Sequence, residues 1–239
     1  MFDYLANPSR FMRLSDLLFM PVSIITIFCI GYGLYLGLFA SPADYQQGET
    51  VRIIYIHVPA AWLALFGYFG LGLCGLFYIV WRHPLADIAS RAIAPVGAVF
   101  ALLTLITGAL WGKPMWGAWW VWDARLTSML ILFFFYLGVI ALANGFERPE
   151  LGSRPAALLA MIGVVNVPIV KFSVNWWNTL HQPASILRSG GPAIDSSMLT
   201  PLVLMFIGAQ GYFVIIVILR MRALLAERRL TAIHLRPGA

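Results

Sequence analysis

Residues 127–144 read TSMLILFFFYLGVIALAN, a stretch of eighteen residues without a charged side chain. A helix needs about 20 mainly apolar residues to cross a hydrocarbon core roughly 30 Å thick. Because the bilayer offers no water to bond the backbone, a single apolar segment that crosses it does so as a helix. The stretch therefore predicts a transmembrane helix.

Apolar stretches of the same kind recur along the 239-residue chain, in which 61% of the residues are hydrophobic and 11% are charged. The six predicted spans are residues 17–39, 60–81, 93–111, 127–144, 156–172 and 199–219. The mean hydropathy of +0.83 is far above that of an ordinary soluble domain. We predict an all-α integral membrane protein whose residues 1–239 form a single six-helix domain.

The sixteen basic residues divide unequally between the two ends of these spans. Eleven fall on the side of the termini: Arg10, Arg13, Arg82, Arg91, Arg148, Arg154, Arg220, Arg222, Arg228, Arg229 and Arg236. The other five are Arg52, Lys113, Arg125, Lys171 and Arg188. Cytoplasmic loops carry the excess of Lys and Arg, so both termini are predicted to be cytoplasmic. The long connections near residues 41–59, 112–126 and 173–198 then face outward.

The outer connection between the third and fourth spans is rich in tryptophan. Residues 111–127 read WGKPMWGAWWVWDARLT and hold five of the nine tryptophans: Trp111, Trp116, Trp119, Trp120 and Trp122. One interpretation is an aromatic belt at the membrane interface. The other is a platform for a flat apolar ligand, because exposed apolar surface costs about 25 cal/mol per Å² until it is covered. The residues alone leave both interpretations open.

Two of the four histidines, His57 and His181, fall on the same outer side. Each precedes a proline by two residues, which predicts that each imidazole lies near a break in regular structure. Two neutral imidazoles that face each other can occupy both axial positions of a haem iron. The plainer interpretation of either histidine is an interface or packing residue.

Charged residues near these groups are candidates for contacts with an anionic ligand. Arg52 lies five residues before His57, and Arg125 directly follows the tryptophans, so both are candidates to bind carboxylates such as haem propionates. Asp123 is predicted to cap the fourth span, because an Asp at a helix start accepts hydrogen bonds from free backbone N–H groups.

Several function classes are disfavoured. The chain has no P-loop motif, and its only lysines are Lys113 and Lys171, so it does not hydrolyse ATP through such a loop. No charged residue lies deep within a predicted span, and this argues against a function in ion pumping, which requires ionisable groups within the membrane.

The segment WGAWWVWD, residues 116–123, closely resembles the signature of the Trp-Trp-Asp (WWD) domain haem-handling family. Together with the six spans, it makes the chain similar over essentially its whole length to the heme exporter protein C (CcmC) branch, which acts in system I cytochrome c maturation. The resemblance implies a haem-transfer protein of the bacterial inner membrane, rather than an enzyme.

The resemblance also implies a site and partners. Haem b would bind at the periplasmic face with His57 and His181 as axial ligands, with the tryptophans and Asp123 at its edge and with Arg52 and Arg125 on its propionates. The haem chaperone CcmE would receive the haem. The ATP-binding subunit CcmA and the membrane subunits CcmB and CcmD would complete an ABC-type complex.

Two other functions stay open at this stage. A cytochrome b-like redox subunit would normally place its histidine pairs inside the spans. A permease subunit of an ABC transporter would need broken helices near the bilayer midplane, and only Asn166-Val167-Pro168 hints at one.

Overall fold

The computed structural model describes residues 7–181, 191 and 194–234. Within these ranges the α-helices are α1 Pro8–Tyr35, α2 Ile54–Trp81, α3 Pro84–Trp116, α4 Ala124–Asn144, α5 Pro149–Gly163, α6 Asn166–Trp176 and α7 Ser196–His234. A π-helical turn, Leu36–Ala40, extends α1, and a 3-10 turn, Glu49–Ile53, leads into α2.

Six helical segments are long and apolar enough to cross a membrane, which confirms the predicted fold class. They are Pro8–Ala40, Glu49–Trp81, Pro84–Trp116, Ala124–Asn144, Pro149–Trp176 and Ser196–His234. All six extend beyond the predicted limits at one end or both, because a helix ends where its backbone is capped and not where the side chains stop being apolar.

The tryptophan-rich connection is shorter than predicted. Helix α3 continues through Trp111 to Trp116 and ends where Gly117 takes a φ of 75°, a left-handed conformation that favours glycine. The next helix begins after Asp123, whose carboxylate accepts a hydrogen bond from the backbone N of Leu126 at 2.8 Å, so the predicted cap is confirmed. The irregular connection is therefore residues 117–123.

The expectation that His57 lies near a break in regular structure was wrong. His57 is inside α2, which runs from Ile54 through Pro59 without interruption. A proline removes only one helical hydrogen bond, and helices in lipid tolerate that loss because packing and local adjustment satisfy the freed group. His181 lies outside the helices, and Pro183 falls outside the described residues.

The fifth span is broken between α5 and α6, at Val164 and Val165. Pro168 has no N–H to donate to the carbonyl of Val164, which instead accepts from the backbone N of Val167 at 3.0 Å. The buried amide of Asn166 donates to the carbonyl of Ser128 at 2.8 Å and ties the break to α4.

Two fully buried tyrosines mark the centre of the main core, between α2, α3, α4 and α5. The rings of Tyr68 and Tyr136 meet edge to face with centroids 4.8 Å apart, and the Tyr136 hydroxyl donates to the carbonyl of Ala64 at 2.8 Å. The α3 backbone reaches this ring because Gly97 has no side chain: a Cβ there would lie 2.3 Å from the Tyr136 hydroxyl oxygen.

At the opposite end of the bundle from the tryptophans, Arg91 joins three helices. Its guanidinium donates to Asp87 within α3 at 3.2 Å, to the carbonyl of Ala143 in α4 at 2.7 Å and to the carbonyl of Pro149 in α5 at 2.7 Å. Arg91 thus satisfies the carbonyl of Ala143, which lies in the last turn of α4 and has no intrahelical partner, and ties the start of α5 to it. The packed core and the hydrogen bonds of Arg91 fix the relative positions of the helices that carry the tryptophan segment at their other end.

Candidate functional site

A cavity of about 590 Å³ opens at the tryptophan-bearing end of the bundle, within the range of roughly 300–1,000 Å³ that is typical of ligand pockets. Its lining includes His57, His181, Trp111, Trp116 and Arg125. These residues come from α2, α3, α4 and the connection after α6, and the structure brings them to one site. Most of the remaining lining is apolar, including Leu105, Met115, Leu126, Met129, Leu202 and Phe206.

His57 reaches the cavity from α2 and is oriented by α3. Its Nδ1 lies 2.9 Å from Oγ1 of Thr107. The single hydroxyl proton of Thr107 is directed to the carbonyl of Leu103 at 2.7 Å, so Oγ1 is left to accept from the imidazole. This assignment puts the proton of neutral His57 on Nδ1 and leaves a free lone pair on Nε2.

The ring of His57 packs closely against α3. Its edge meets the indole of Trp111 with ring centroids 5.6 Å apart. Gly108 presents only backbone to it, since a Cβ at that position would lie 3.3 Å from Cε1 of the imidazole. A larger residue at position 108 would therefore press on the ring.

His181 is held by a small network around Asp123. Nδ1 of His181 donates to Oδ2 of Asp123 at 2.8 Å, and its backbone N donates to Oγ1 of Thr179 at 3.1 Å. The Thr179 hydroxyl donates to the same carboxylate oxygen at 2.5 Å. The Trp116 indole meets the imidazole at 66° with centroids 4.8 Å apart. As for His57, Nδ1 holds the proton and Nε2 is left unprotonated.

The protonation states fit this assignment. Burial raises the pKa of Asp123, but the hydrogen bonds from Thr179, Leu126 and His181 outweigh it, and the net pKa is below its ordinary value. Burial lowers the pKa of His181 below 6.5, although the hydrogen bond and charge of Asp123 act in the opposite direction. At neutral pH the pair is therefore a carboxylate beside a neutral imidazole.

The five tryptophans do not act as one surface. Trp111 and Trp116 line the cavity beside the two histidines. Trp120 packs against the main core and meets the edge of Trp122 with ring centroids 5.4 Å apart. Trp119 is 56% exposed and Trp122 is 76% exposed, and both lie outside the described lining of the cavity.

Of the two arginines predicted to bind an anionic ligand, one lines the cavity and the other does not. Arg125 lines the cavity, and its buried Nε has no hydrogen-bond partner among the described residues. Arg52 lies outside the described lining: it forms an ion pair with Glu49 at 2.5 Å and donates to the carbonyl of Gly37 at 2.8 Å. Lys171 is a further cation of the lining, and Arg188 falls outside the described residues.

Known proteins resemble this chain over nearly its whole length. The family described as heme exporter protein C (CcmC) matches residues 1–236. The heme exporter protein C of Bradyrhizobium diazoefficiens is 48% identical over 231 residues, which are 97% of this chain and 88% of that relative. The chain belongs to the heme exporter protein C family.

Other members agree with this placement. The heme exporter protein C of Escherichia coli K12 is 43% identical over 94% of this chain and 91% of its own length. A ccmC-like mitochondrial protein of Marchantia polymorpha, whose name refers to cytochrome c biosynthesis, is 46% identical over 86% of this chain and 87% of its own length. As a member of the heme exporter protein C family, the chain is a multi-pass membrane protein with a haem-handling role in cytochrome c maturation.

Several residues that line or support this cavity escaped the sequence analysis, and Thr179, which bonds both Asp123 and the backbone of His181, is one of them. Thr107 and Gly108 stand next to each other in an apolar span, one turn before Trp111, and this polar and small pair was the available signal. Gln47, in the first long outer connection, lines the cavity and accepts a hydrogen bond from the Trp111 indole at 2.8 Å. No signal in the sequence pointed to Gln47, because the residue before it, Gln46, is also a glutamine and nothing distinguishes the two.

Proposed function

We propose that the chain binds haem b in this cavity through Nε2 of His57 and Nε2 of His181, and presents it at the periplasmic face to the haem chaperone CcmE. The observation that carries the proposal is the matched state of the two imidazoles. Each donates from Nδ1 to an acceptor of the protein, and no partner is found at Nε2 of either one among the described residues. A histidine that ligates a metal typically donates its other ring N–H in this way.

The donor set suits haem better than a bare metal ion. Over the described part of the chain, no group of three or more His, Cys, Asp and Glu side chains comes together that could hold an ion. Haem supplies four nitrogen ligands of its own, so two imidazoles complete its coordination. The apolar lining around them favours a flat, apolar ring system.

The unpaired Nε of Arg125 supports the proposal at the edge of the cavity. A buried guanidinium donor without an acceptor costs free energy, and a carboxylate is the acceptor that it pairs with best. A haem propionate would supply that carboxylate. Arg52 is already bound to Glu49 and Gly37, so we no longer assign it to this contact.

Presentation to another protein rests on the exposed end of the connection. Trp119 and Trp122 place large apolar surfaces outside the cavity, close in sequence to Asp123. Such surfaces suit a protein partner, and CcmE is the partner that we propose for them. CcmA, CcmB and CcmD would complete the complex, with ATP hydrolysis in CcmA. The unequal distribution of basic residues supports a periplasmic position for this end and the bacterial inner membrane as the location.

The test is the visible spectrum of the purified full-length protein in nanodiscs, loaded with haem. We expect a six-coordinate, low-spin spectrum for the parent. His57→Ala and His181→Ala are each expected to lose six-coordination or to lose the haem. His83→Ala, at the opposite end of the bundle, is the matched control and should leave the spectrum unchanged. Unchanged spectra in both site variants would overturn the proposal.

A further inference from the structure

The two histidines are held by acceptors of different charge. His181 donates to a carboxylate, Asp123, whose Oδ2 lies 2.8 Å from Nδ1. His57 donates to a neutral hydroxyl, Thr107, whose Oγ1 lies 2.9 Å from Nδ1. The two distances are nearly equal, so the difference between the sites is one of charge and not of length.

The charge of the acceptor changes the donor strength of the imidazole. A carboxylate draws the Nδ1 proton towards itself and increases the electron density at Nε2, which makes the ring a stronger ligand. A neutral hydroxyl does this much less, even though the bond from Thr107 to the Leu103 carbonyl makes its oxygen a somewhat better acceptor. His181 is therefore the stronger iron ligand of the two.

His181 is also held in place by more hydrogen bonds to side chains than His57 is. The ring and the backbone N of His181 are both fixed, through Asp123 and Thr179, and these two residues bond to each other at 2.5 Å. Asp123 is in turn fixed as the cap of α4. The His57 backbone is held by α2, and its ring packs against Trp111 and the backbone at Gly108, but the ring has one hydrogen bond where His181 is fixed at both its ring and its backbone N.

We propose that His181 is the retained axial ligand and His57 the exchangeable one. This rests on the proposed function. In the exchange, the bond from iron to Nε2 of His57 breaks and the neutral imidazole keeps its lone pair. An incoming neutral nitrogen donor supplies a lone pair to the same position, and the oxidation state of the iron is unchanged. The face of the haem towards His57 is then the one that is open to an incoming ligand.

The first experiment uses imidazole as the probe. The full chain in nanodiscs is loaded with haem as His57→Gly and as His181→Gly, with and without added imidazole. We expect His57→Gly to retain its haem and to regain the six-coordinate spectrum with imidazole. His181→Gly should release haem to apomyoglobin about 10- to 100-fold faster than His57→Gly, the size typical of the hydrogen-bonding partners by which the two histidines differ.

The second experiment tests Asp123 as a positioning residue without removing a ligand. Asp123→Asn keeps a good helix cap, because Asn and Asp cap helices equally well. It removes the negative charge at Nδ1 of His181. We expect faster haem release and a more positive midpoint potential, since the carboxylate stabilises the ferric state. Asp195→Asn, at the exposed cap of α7, is the matched control and should change neither quantity.

The outcomes separate this inference from the proposed function. If neither histidine variant alters the haem spectrum, the proposed function fails. If both alter it but His57→Gly releases haem as fast as His181→Gly, or faster, only the assignment of the exchangeable ligand is overturned. If Asp123→Asn matches the parent in both release rate and potential, the role of the carboxylate is overturned.

Discussion

Nδ1 of His57 lies 2.9 Å from Oγ1 of Thr107, on a different helix and fifty residues further along the chain. This contact fixes the tautomer of His57, with the proton on Nδ1 and the lone pair on Nε2, because the hydroxyl proton of Thr107 is directed to Leu103. An ordinary polar residue within an apolar span thereby leaves the Nε2 lone pair of the imidazole free.

Thr107→Val keeps the shape of the side chain and removes the acceptor for the imidazole proton. We expect a mixture of ring orientations and a haem release rate that rises less than in Asp123→Asn, because the lost acceptor is neutral; a net loss of about 1 kcal/mol, or roughly fivefold, is typical of such a bond. Release to apomyoglobin and the low-spin fraction measure it.

The control for this variant is Thr104→Val in the same cavity. The hydroxyl of Thr104 bonds to the carbonyl of Phe100 at 2.8 Å and does not contact His57. If both substitutions changed the haem release rate equally, the cause would be the loss of a hydroxyl near the cavity and not the loss of the contact between Thr107 and His57.

Gly108→Ala is predicted to disturb the site without unfolding the protein. The new Cβ would lie 3.3 Å from Cε1 of His57, so the ring has to move by a few tenths of an ångström. Alanine in a helix interior is favoured over glycine by about 0.5–1 kcal/mol, which protects α3. We expect a shifted haem spectrum with an unchanged apparent Tm. Gly70→Ala, where a Cβ meets nothing within 4 Å, should leave the spectrum as it is.

Arg125→Gln should weaken haem retention because its unpaired Nε is the proposed partner of a propionate. Hydrogen bonds to charged groups contribute about 1.5–3 kcal/mol, which corresponds to roughly 10- to 150-fold in affinity. The dimethyl ester of haem has no propionate charge, so the parent should prefer free haem and the variant should lose that preference. Arg52→Gln is expected to keep the preference of the parent, and loss in both variants would contradict the assignment.

Gly97→Ala is predicted to destabilise the bundle, because its Cβ would lie 2.3 Å from the hydroxyl oxygen of buried Tyr136. Overpacking of this kind costs about 1–3 kcal/mol. Thermal unfolding of the purified protein in detergent should show a lower apparent Tm. In Gly31→Ala the new Cβ meets nothing within 4 Å, and its Tm should match that of the parent.

The predicted orientation can be checked by labelling single cysteines. The native thiols, Cys29 and Cys74, are free and would be replaced by alanine. In spheroplasts, a membrane-impermeant maleimide should label Gln46→Cys, in the first outer connection, and should reach Arg229→Cys only after lysis. The reverse labelling pattern would place the cavity on the cytoplasmic face.

Hydropathy alone was sufficient to predict the helical class and the six spans, because the bilayer imposes the same length and apolarity on every crossing segment. It did not locate the helix ends. Gly117 and Asp123 decide where α3 ends and α4 begins, and this placed Trp116 on a helix where the sequence predicted a connection.

The composition of the site was also partly visible in the sequence. His57, His181 and the tryptophan segment stand out as residue types, and their motif resembles that of one family. Which of them meet depends on packing between distant segments. Trp111 and Trp116 line the cavity with the histidines, whereas Trp119 and Trp122 are exposed and lie outside its described lining. Arg125 also lines the cavity, whereas Arg52 is bound elsewhere.

The tautomers of the two histidines were decided by tertiary structure only. A sequence states that an imidazole is present, but the nitrogen that carries its proton depends on an acceptor within about 3 Å. For His57 that acceptor is Thr107 and for His181 it is Asp123, fifty and fifty-eight residues away. Local sequence patterns do not encode contacts of that range, because helix packing alone brings these side chains together.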